Sequence, residues 1–271
     1  MNNKIRLDRE KETLLIPLHG KAMESKKKAP VLYDRKALEI VGKIDYDFGS
    51  LKIPGKTNTM MCLRAKLIDN FVRGFLAQSK ECTILHLGCG LDSRYVRIGA
   101  PEADWYDLDY KEVINIRRNF FPETGNYHLI PSSVTSPEWI ERIPAGNKHY
   151  LVVAEGLFMY LKEEAIKDLI FSIKKRVGRY TLVFDAYSVY TARKAKHHRS
   201  LKKTGAEIHW GIDHPETLAG WNKGIELRNE IYFTANEEIE KMGFGTKLIY
   251  RIANLFPMAK KAHRILVYLI K

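Results

Sequence analysis

Gly88-Cys89-Gly90-Leu91-Asp92-Ser93 places two glycines and short polar side chains directly after the apolar run at residues 83–87. Glycine permits a tight turn and lets a ligand approach bare backbone, so this spacing predicts a loop that cradles a nucleotide-type ligand. Ser93 stands where a dinucleotide fingerprint prefers its third glycine. Taken alone, the loop suits a methyl donor, a dinucleotide or a plain structural turn. Asp109 ends the next apolar segment, where an acid accepts hydrogen bonds from ribose hydroxyls in a βαβ nucleotide site. Asp107 is the competing acid, with a solvent-facing or turn-capping role as its other reading.

Two further charges stand out against apolar surroundings. Arg64 falls within the stripe Met60, Leu67, Ile68 and Phe71 rather than on the polar face with Lys66, Asp69, Asn70 and Arg73. A buried guanidinium needs a carboxylate, supplied either by an internal salt bridge or by a ligand that the arginine clamps in bidentate fashion. Glu155 interrupts the run at residues 150–161. It sits at the expected carboxyl end of a buried strand, where open α/β sheets bind ligands, and can face a cationic ammonium or sulfonium or cap the loop backbone. His197, His198, His209 and His214 lack zinc-site spacing and read as surface or lid histidines, so no metal is expected. Cys62, Cys82 and Cys89 contain no C-x-x-C pair, which points away from a disulfide framework or a cysteine zinc site and toward a reducing compartment.

These residues must be held by regular elements. Apolar positions from Met60 to Leu76 recur at helical spacing, with Asn58 or Thr59 as the N-cap. Strands are expected at residues 83–87, 104–108, 127–131, 150–154 and 180–184, with helices at 110–120 and 162–177 between them. Strands alternating with helix-length segments imply parallel βαβ connections. The predicted fold is a doubly wound, mostly parallel, seven-stranded α/β sheet, closing with hairpin-like strands at 247–251 and 264–270. Residues 1–271 are read as one catalytic domain, with 1–56 as a helical N-terminal extension and 188–221 as a lid-like insertion containing a basic helical piece at 191–203.

The 271 residues, 45% hydrophobic, suffice for one large core. The net charge of +13 implies an anionic partner, whether nucleic acid, membrane surface or acidic small molecule. The short apolar stretch at residues 14–18 lacks a signal-peptide cleavage site, and the run at 150–161 is too short to span a bilayer. A cytoplasmic protein without a membrane span is expected.

Four segments in this order and spacing resemble the leucine carboxyl methyltransferase family, including its bacterial branch of polyketide-type O-methyltransferases: Leu87-Gly88-Cys89-Gly90-Leu91-Asp92-Ser93-Arg94, Trp105-Tyr106-Asp107-Leu108-Asp109, Ala154-Glu155-Gly156-Leu157-Phe158-Met159-Tyr160-Leu161 and Trp210-Gly211-Ile212-Asp213. The resemblance runs from about residue 18 to the C-terminus. It implies a class I methyltransferase with a Rossmann-like fold that uses S-adenosyl-L-methionine and releases S-adenosyl-L-homocysteine. Arg64 then resembles the arginine that holds the methionine carboxylate, Gly88 and Gly90 the turn beneath the methionine moiety, Asp109 the ribose-binding acid, and Glu155 the glutamate lining the donor pocket. Ser133-Val134 stands where the family usually has Asp-Leu against adenine; serine still accepts a hydrogen bond but brings no carboxylate.

Methyl transfer from a sulfonium demands alignment and exclusion of water. A carboxylate acceptor needs no general base, whereas a hydroxyl acceptor wants one, for which Glu155, Tyr160 and His209 are candidates. Lys21, Tyr160, His209 and Trp210 are the candidate acceptor contacts; the positive charge with Lys21 and Arg64 favours an acidic acceptor, and a small molecule is expected ahead of a protein C-terminal carboxylate. Three rival readings remain, an RNA methyltransferase, an NAD(P)-dependent Rossmann oxidoreductase and a non-enzymatic protein that binds the donor as a sensor. The first lacks an Asn/Asp-Pro-Pro-Tyr motif and an RNA-binding module, and the second is opposed by Ser93 and the Glu155 segment.

Overall fold

The computed structural model describes residues 12–51, 53–78, 81–146, 149–195 and 206–271. His197, His198 and the distal part of the basic piece expected at 191–203 lie outside the described residues.

Chain order runs through α1 (Glu12–Ser25), α2 (Arg35–Lys43), α3 (Gly55–Gln78), β1 (Cys82–Leu87), α4 (Arg94–Arg97), β2 (Asp104–Asp109), α5 (Lys111–Arg117) and β3 (Tyr127–Pro131). It continues through β4 (His149–Ala154), α6 (Glu163–Val177), β5 (Tyr180–Tyr187), α7 (Val189–Ala195), α8 (Glu216–Ala219) and β6 (Ile225–Tyr232). The chain then forms α9 (Glu237–Glu240), α10 (Phe244–Asn254), α11 (Pro257–Lys261) and β7 (His263–Ile270). The strands form one sheet in the order β3-β2-β1-β4-β5-β7-β6. β1 to β5 are parallel, and β7 runs antiparallel to both β5 and β6. The doubly wound, mostly parallel seven-stranded sheet expected from the sequence is therefore present.

Strand side chains alternate between faces, which divides the apolar interior in two. Ile84, Leu151 and Val153 point to the face covered by α1, α2 and α3, through Leu15, Leu18, Ile40, Leu63 and Ile68. Leu85, Val152 and Phe184 point to the other face, covered by Ile166, Leu169 and Ile170 of α6. α6 has acids in its first turn, bases in its last, and Gly178 at φ 76° beyond its end, an arrangement that complements the helix dipole and satisfies the terminal carbonyls.

Three local expectations are corrected. The final hairpin is β6 with β7, while Lys247–Arg251 lies inside α10. Asn58 and Thr59 are inside α3, and the Thr59 hydroxyl donates to the Gly55 carbonyl at 3.1 Å rather than capping the helix. Asp107 is fully buried instead of facing solvent or capping a turn. Strand alternation places it on the same face as Trp105, whose indole nitrogen donates to it at 2.8 Å; His86 Nδ1 at 2.9 Å, Tyr127 and Arg117 contact it as well.

Candidate functional site

Sequence order along the sheet reverses between β1 and β4, and such a switch point opens a crevice beyond the carboxyl ends of the strands. A cavity of about 880 Å³ lies there, within the range typical of ligand sites. Gly88, Gly90, Asp109, Glu155, Arg64, Lys21, Tyr160 and His209 all line it, together with Ser132 and Val134.

The floor is the turn after β1. Gly88 and Gly90 both adopt left-handed backbone conformations, with φ of 62° and 51°, and a Cβ on Gly88 would stand 3.0 Å from Leu157 Cδ1. Asp109 ties this turn to the end of β2, accepting from the backbone N–H of Gly90 at 2.8 Å and of Tyr110 at 2.7 Å. Burial raises the Asp109 pKa, and the two N–H donors offset only part of that effect. Its carboxylate is set at the rim of the cavity, where a hydroxyl donor would relieve the missing solvation.

Arg64 reaches from α3 across the strand ends. Its Nε donates to Glu155 Oε1 at 3.0 Å and its Nη1 to Asp185 Oδ2 at 3.1 Å, while Nη2 lies beside Gly156. The internal salt bridge considered from the sequence thus exists, and Arg64 faces the cavity as well. Burial opposes its charge, but Asp185 and Glu155 outweigh that and hold the guanidinium above its usual pKa.

Glu155 also accepts from Arg94 Nη2. Burial alone would raise its pKa, yet Arg94 and Arg64 keep it below the ordinary value. Asp185 is held low in the same way against burial, by Arg64 and by His263, whose Nε2 lies 2.7 Å away. Asp185 also accepts from the backbone N–H of Gly156, so one carboxylate of β5 fixes the loop after β4 and the start of β7.

Asp92, the loop acid, is buried among Lys21 at 2.8 Å, Arg97 at 2.7 Å and Arg94 at 3.3 Å. Arg97 and Arg94 bond Asp69 of α3 as well. This network welds the glycine turn to α1 and α3.

The remaining candidates divide. Tyr160 is partly exposed on the cavity wall, and burial raises its phenol pKa against the pull of Arg64. His209 lies on the same wall, its backbone N–H donating to the Met159 carbonyl at 2.8 Å. Trp210, next to it, turns the other way into the core against Phe158 and Phe184 and does not line the cavity. Ser133 also stays off the lining; its hydroxyl is 2.9 Å from that of Thr135, and Ser132 takes the cavity position. Among the described residues no cluster of side chains suits a metal ion.

Asp185, Arg94 and Asp92 carry much of this geometry without having been assigned a role from the sequence. Asp185 gave the same signal as Glu155, a lone carboxylate in an apolar strand, Tyr180–Tyr187. Asp92 and Arg94 lie within the glycine segment, but partners on α1 and α3 are not legible from spacing.

A family model described as leucine carboxyl methyltransferase matches residues 15–174. The tetracenomycin polyketide synthesis O-methyltransferase TcmP of Streptomyces glaucescens is 34% identical over 276 residues, covering 99% of each chain. An S-adenosyl-L-methionine-dependent methyltransferase of Gibberella zeae is 26% identical over 280 residues, covering 93% of this chain and 92% of that one. Among solved structures, a DUF574 family protein from Streptomyces avermitilis superposes with a TM-score of 0.61 at 11% identity, covering 88% of this chain and 96% of that one, which speaks for the fold alone. A family model spanning more than half the chain and a relative 34% identical along its whole length agree: this chain belongs to the leucine carboxyl methyltransferase family.

Proposed function

We propose that this enzyme transfers a methyl group from S-adenosyl-L-methionine to an oxygen, carboxylate or hydroxyl, of a small organic acceptor. The observation that carries the reading is one cavity bounded by the glycine turn, Asp109 and the Arg64–Glu155 pair on one side and by Tyr160 and His209 on the other. The donor fits this chain's residues. Two left-handed glycines leave room where a side chain would intrude, and Asp109 offers a carboxylate for ribose hydroxyls. When bound, the donor supplies an electrophilic methyl group on a sulfonium.

The protein's own residues then align, desolvate and manage protons. Glu155 serves as a fixed negative charge on the wall. With Arg64 and Arg94 holding its pKa low, it is a poor proton acceptor. Tyr160, with its pKa raised, stays protonated and acts as a hydrogen-bond donor to the acceptor oxygen. Of the three sequence candidates for a base this leaves His209, needed only if the acceptor is a hydroxyl. A carboxylate acceptor is already nucleophilic.

Lys21 and Arg64 are matched by Asp92, Glu155 and Asp185, so they give less support to an acidic acceptor than their charges suggested. What supports acidity is the net charge of +13. The described parts of the insertion, residues 188–195 and 206–221, belong to the same proposal as a cover on the acceptor side, since Ala195, Ala206, Ile208 and His209 line the cavity.

The test is to incubate purified enzyme with methyl-tritiated donor and fractionated small-molecule extract. Label in an ester or ether product is expected. Label found only in RNA or protein, or none with any fraction despite donor binding, would overturn the proposal.

A further inference from the structure

Helices normally turn their apolar residues toward the core, and α10 does the reverse. It docks through half-buried Tyr250, Ala253 and Asn254, the last accepting from the Thr234 hydroxyl at 3.1 Å. None of its eleven residues is fully buried. Phe244, Leu248, Ile249 and Ile252 face outward, continued by Leu255 and Phe256 in the turn before α11. Phe244 is 82% exposed and Leu255 76%, so among the described residues this apolar surface has no partner, the kind of surface that marks an interaction site.

The charge around it selects a partner. Beyond Glu240 the chain contains no further acid, whereas Lys241, Lys247, Arg251, Lys260 and Lys261 share the stretch that carries the apolar face, Lys260 lying over the Tyr232 ring. Three of these are paired with Glu238 and Glu240 at the surface, contacts that are weak and readily exchanged. A second copy of this chain would press the patch against itself, as two-fold contacts do, and so oppose two basic rims on chains of net charge +13 each. An anionic lipid surface satisfies both halves of the pattern, with phosphates at the rim and acyl chains for the apolar face.

We infer that α10 and the turn after it form an interfacial docking surface for anionic lipid. The placement also matters. α11 leads into β7, and Ser188 at the cavity end of β5 donates its backbone N–H to the Ala262 carbonyl at 3.0 Å. The helix that follows the docking face therefore ends against the cavity end of β5.

The test is flotation of the full chain with vesicles of phosphatidylcholine alone and with about one third phosphatidylglycerol, a fraction chosen within the anionic range that attracts basic segments. Leu248→Ser with Ile252→Ser removes apolar area and leaves every charge in place, which separates docking from general basicity. The wild type should float with anionic vesicles and not with neutral ones. The double variant should partition at least about tenfold less, at unchanged thermal midpoint and donor affinity, because the lost area no longer enters lipid. Equal flotation of variant and wild type would mean that charge alone binds, and would overturn the inference. So would no flotation of the wild type, or a wild-type dimer by light scattering that the double variant converts to monomer.

Discussion

At the residue scale the site consists of charges that hold one another, and each substitution must be read for what it leaves unpaired. Asp109 is the simplest case, because its present partners are two backbone N–H groups on neighbouring residues. Asp109→Ala should weaken S-adenosyl-L-homocysteine binding by about 1.5–3 kcal/mol, the usual worth of hydrogen bonds to a charged group. Calorimetry would measure this, and unchanged affinity would remove Asp109 from the ribose role. Since its pKa is raised by burial, donor affinity should also fall as pH drops through that raised value, and the alanine variant should lose this dependence. Arg64 differs, because removing it strands Glu155 and Asp185. Arg64→Ala should cost about 3–5 kcal/mol of stability, seen as a lower urea midpoint, with Arg64→Lys less severe. A variant as stable as wild type would show that water, not Arg64, solvates the two carboxylates.

At the element scale, what was legible in the sequence follows burial. β1, β4 and β5 are covered on both faces and read as apolar runs. β6 is an edge strand with little of its length buried, and its sequence, Ile-Glu-Leu-Arg-Asn-Glu-Ile-Tyr, carries charges that conceal it. α10 offered Leu-Ile-Tyr in succession, a β-like run, although these residues spiral around a helix, with Tyr250 packed on the core and Leu248 and Ile249 facing outward. The glycine turn, Asp109 and Glu155 were legible because strand ends fix where ligands meet an α/β sheet. Asp185 with His263, joined across 78 positions, was not, since pairing between distant strands is set by topology. Trp210 shows the limit of motif position. It sits beside His209, yet one faces the core and the other the cavity. Trp210→Ala should therefore destabilise the fold by about 3–5 kcal/mol, the cost of a cavity at a large aromatic. Donor affinity of the folded enzyme should be unchanged. A loss of affinity without a loss of stability would return Trp210 to the site.

At the scale of the whole molecule, a basic exterior surrounds an interior network of ionised acids, and this sets the response to pH. Asp69, Asp92, Glu155 and Asp185 all have pKa values below those of free side chains despite burial, and Asp107 is brought to about 2. For each, the folded pKa lies below the unfolded one, so its contribution to stability is complete above the unfolded value, 3.8 for Asp and 4.5 for Glu. The contribution is lost as pH falls from there toward the folded value. Asp109, with a raised pKa, has the opposite sign but stands alone among these acids. His263 adds an earlier phase. Burial lowers its pKa from 6.5, against the attraction of Asp185, so keeping it neutral stabilises the fold above pH 6.5 and costs progressively more below. As carboxylates are protonated, the excess of 45 basic over 32 acidic residues also grows into stronger self-repulsion. The urea midpoint should thus hold steady from pH 8 to about 6.5, decline gently to about 4.5 and then fall steeply, the order of the groups that titrate. Substituting His263→Gln should reduce the first decline, leaving the share of His19, whose pKa burial also lowers, and leave the second unchanged. A midpoint unchanged down to pH 3.5 would mean that these carboxylates keep their charge at no advantage to the fold, and would refute the network as a source of stability.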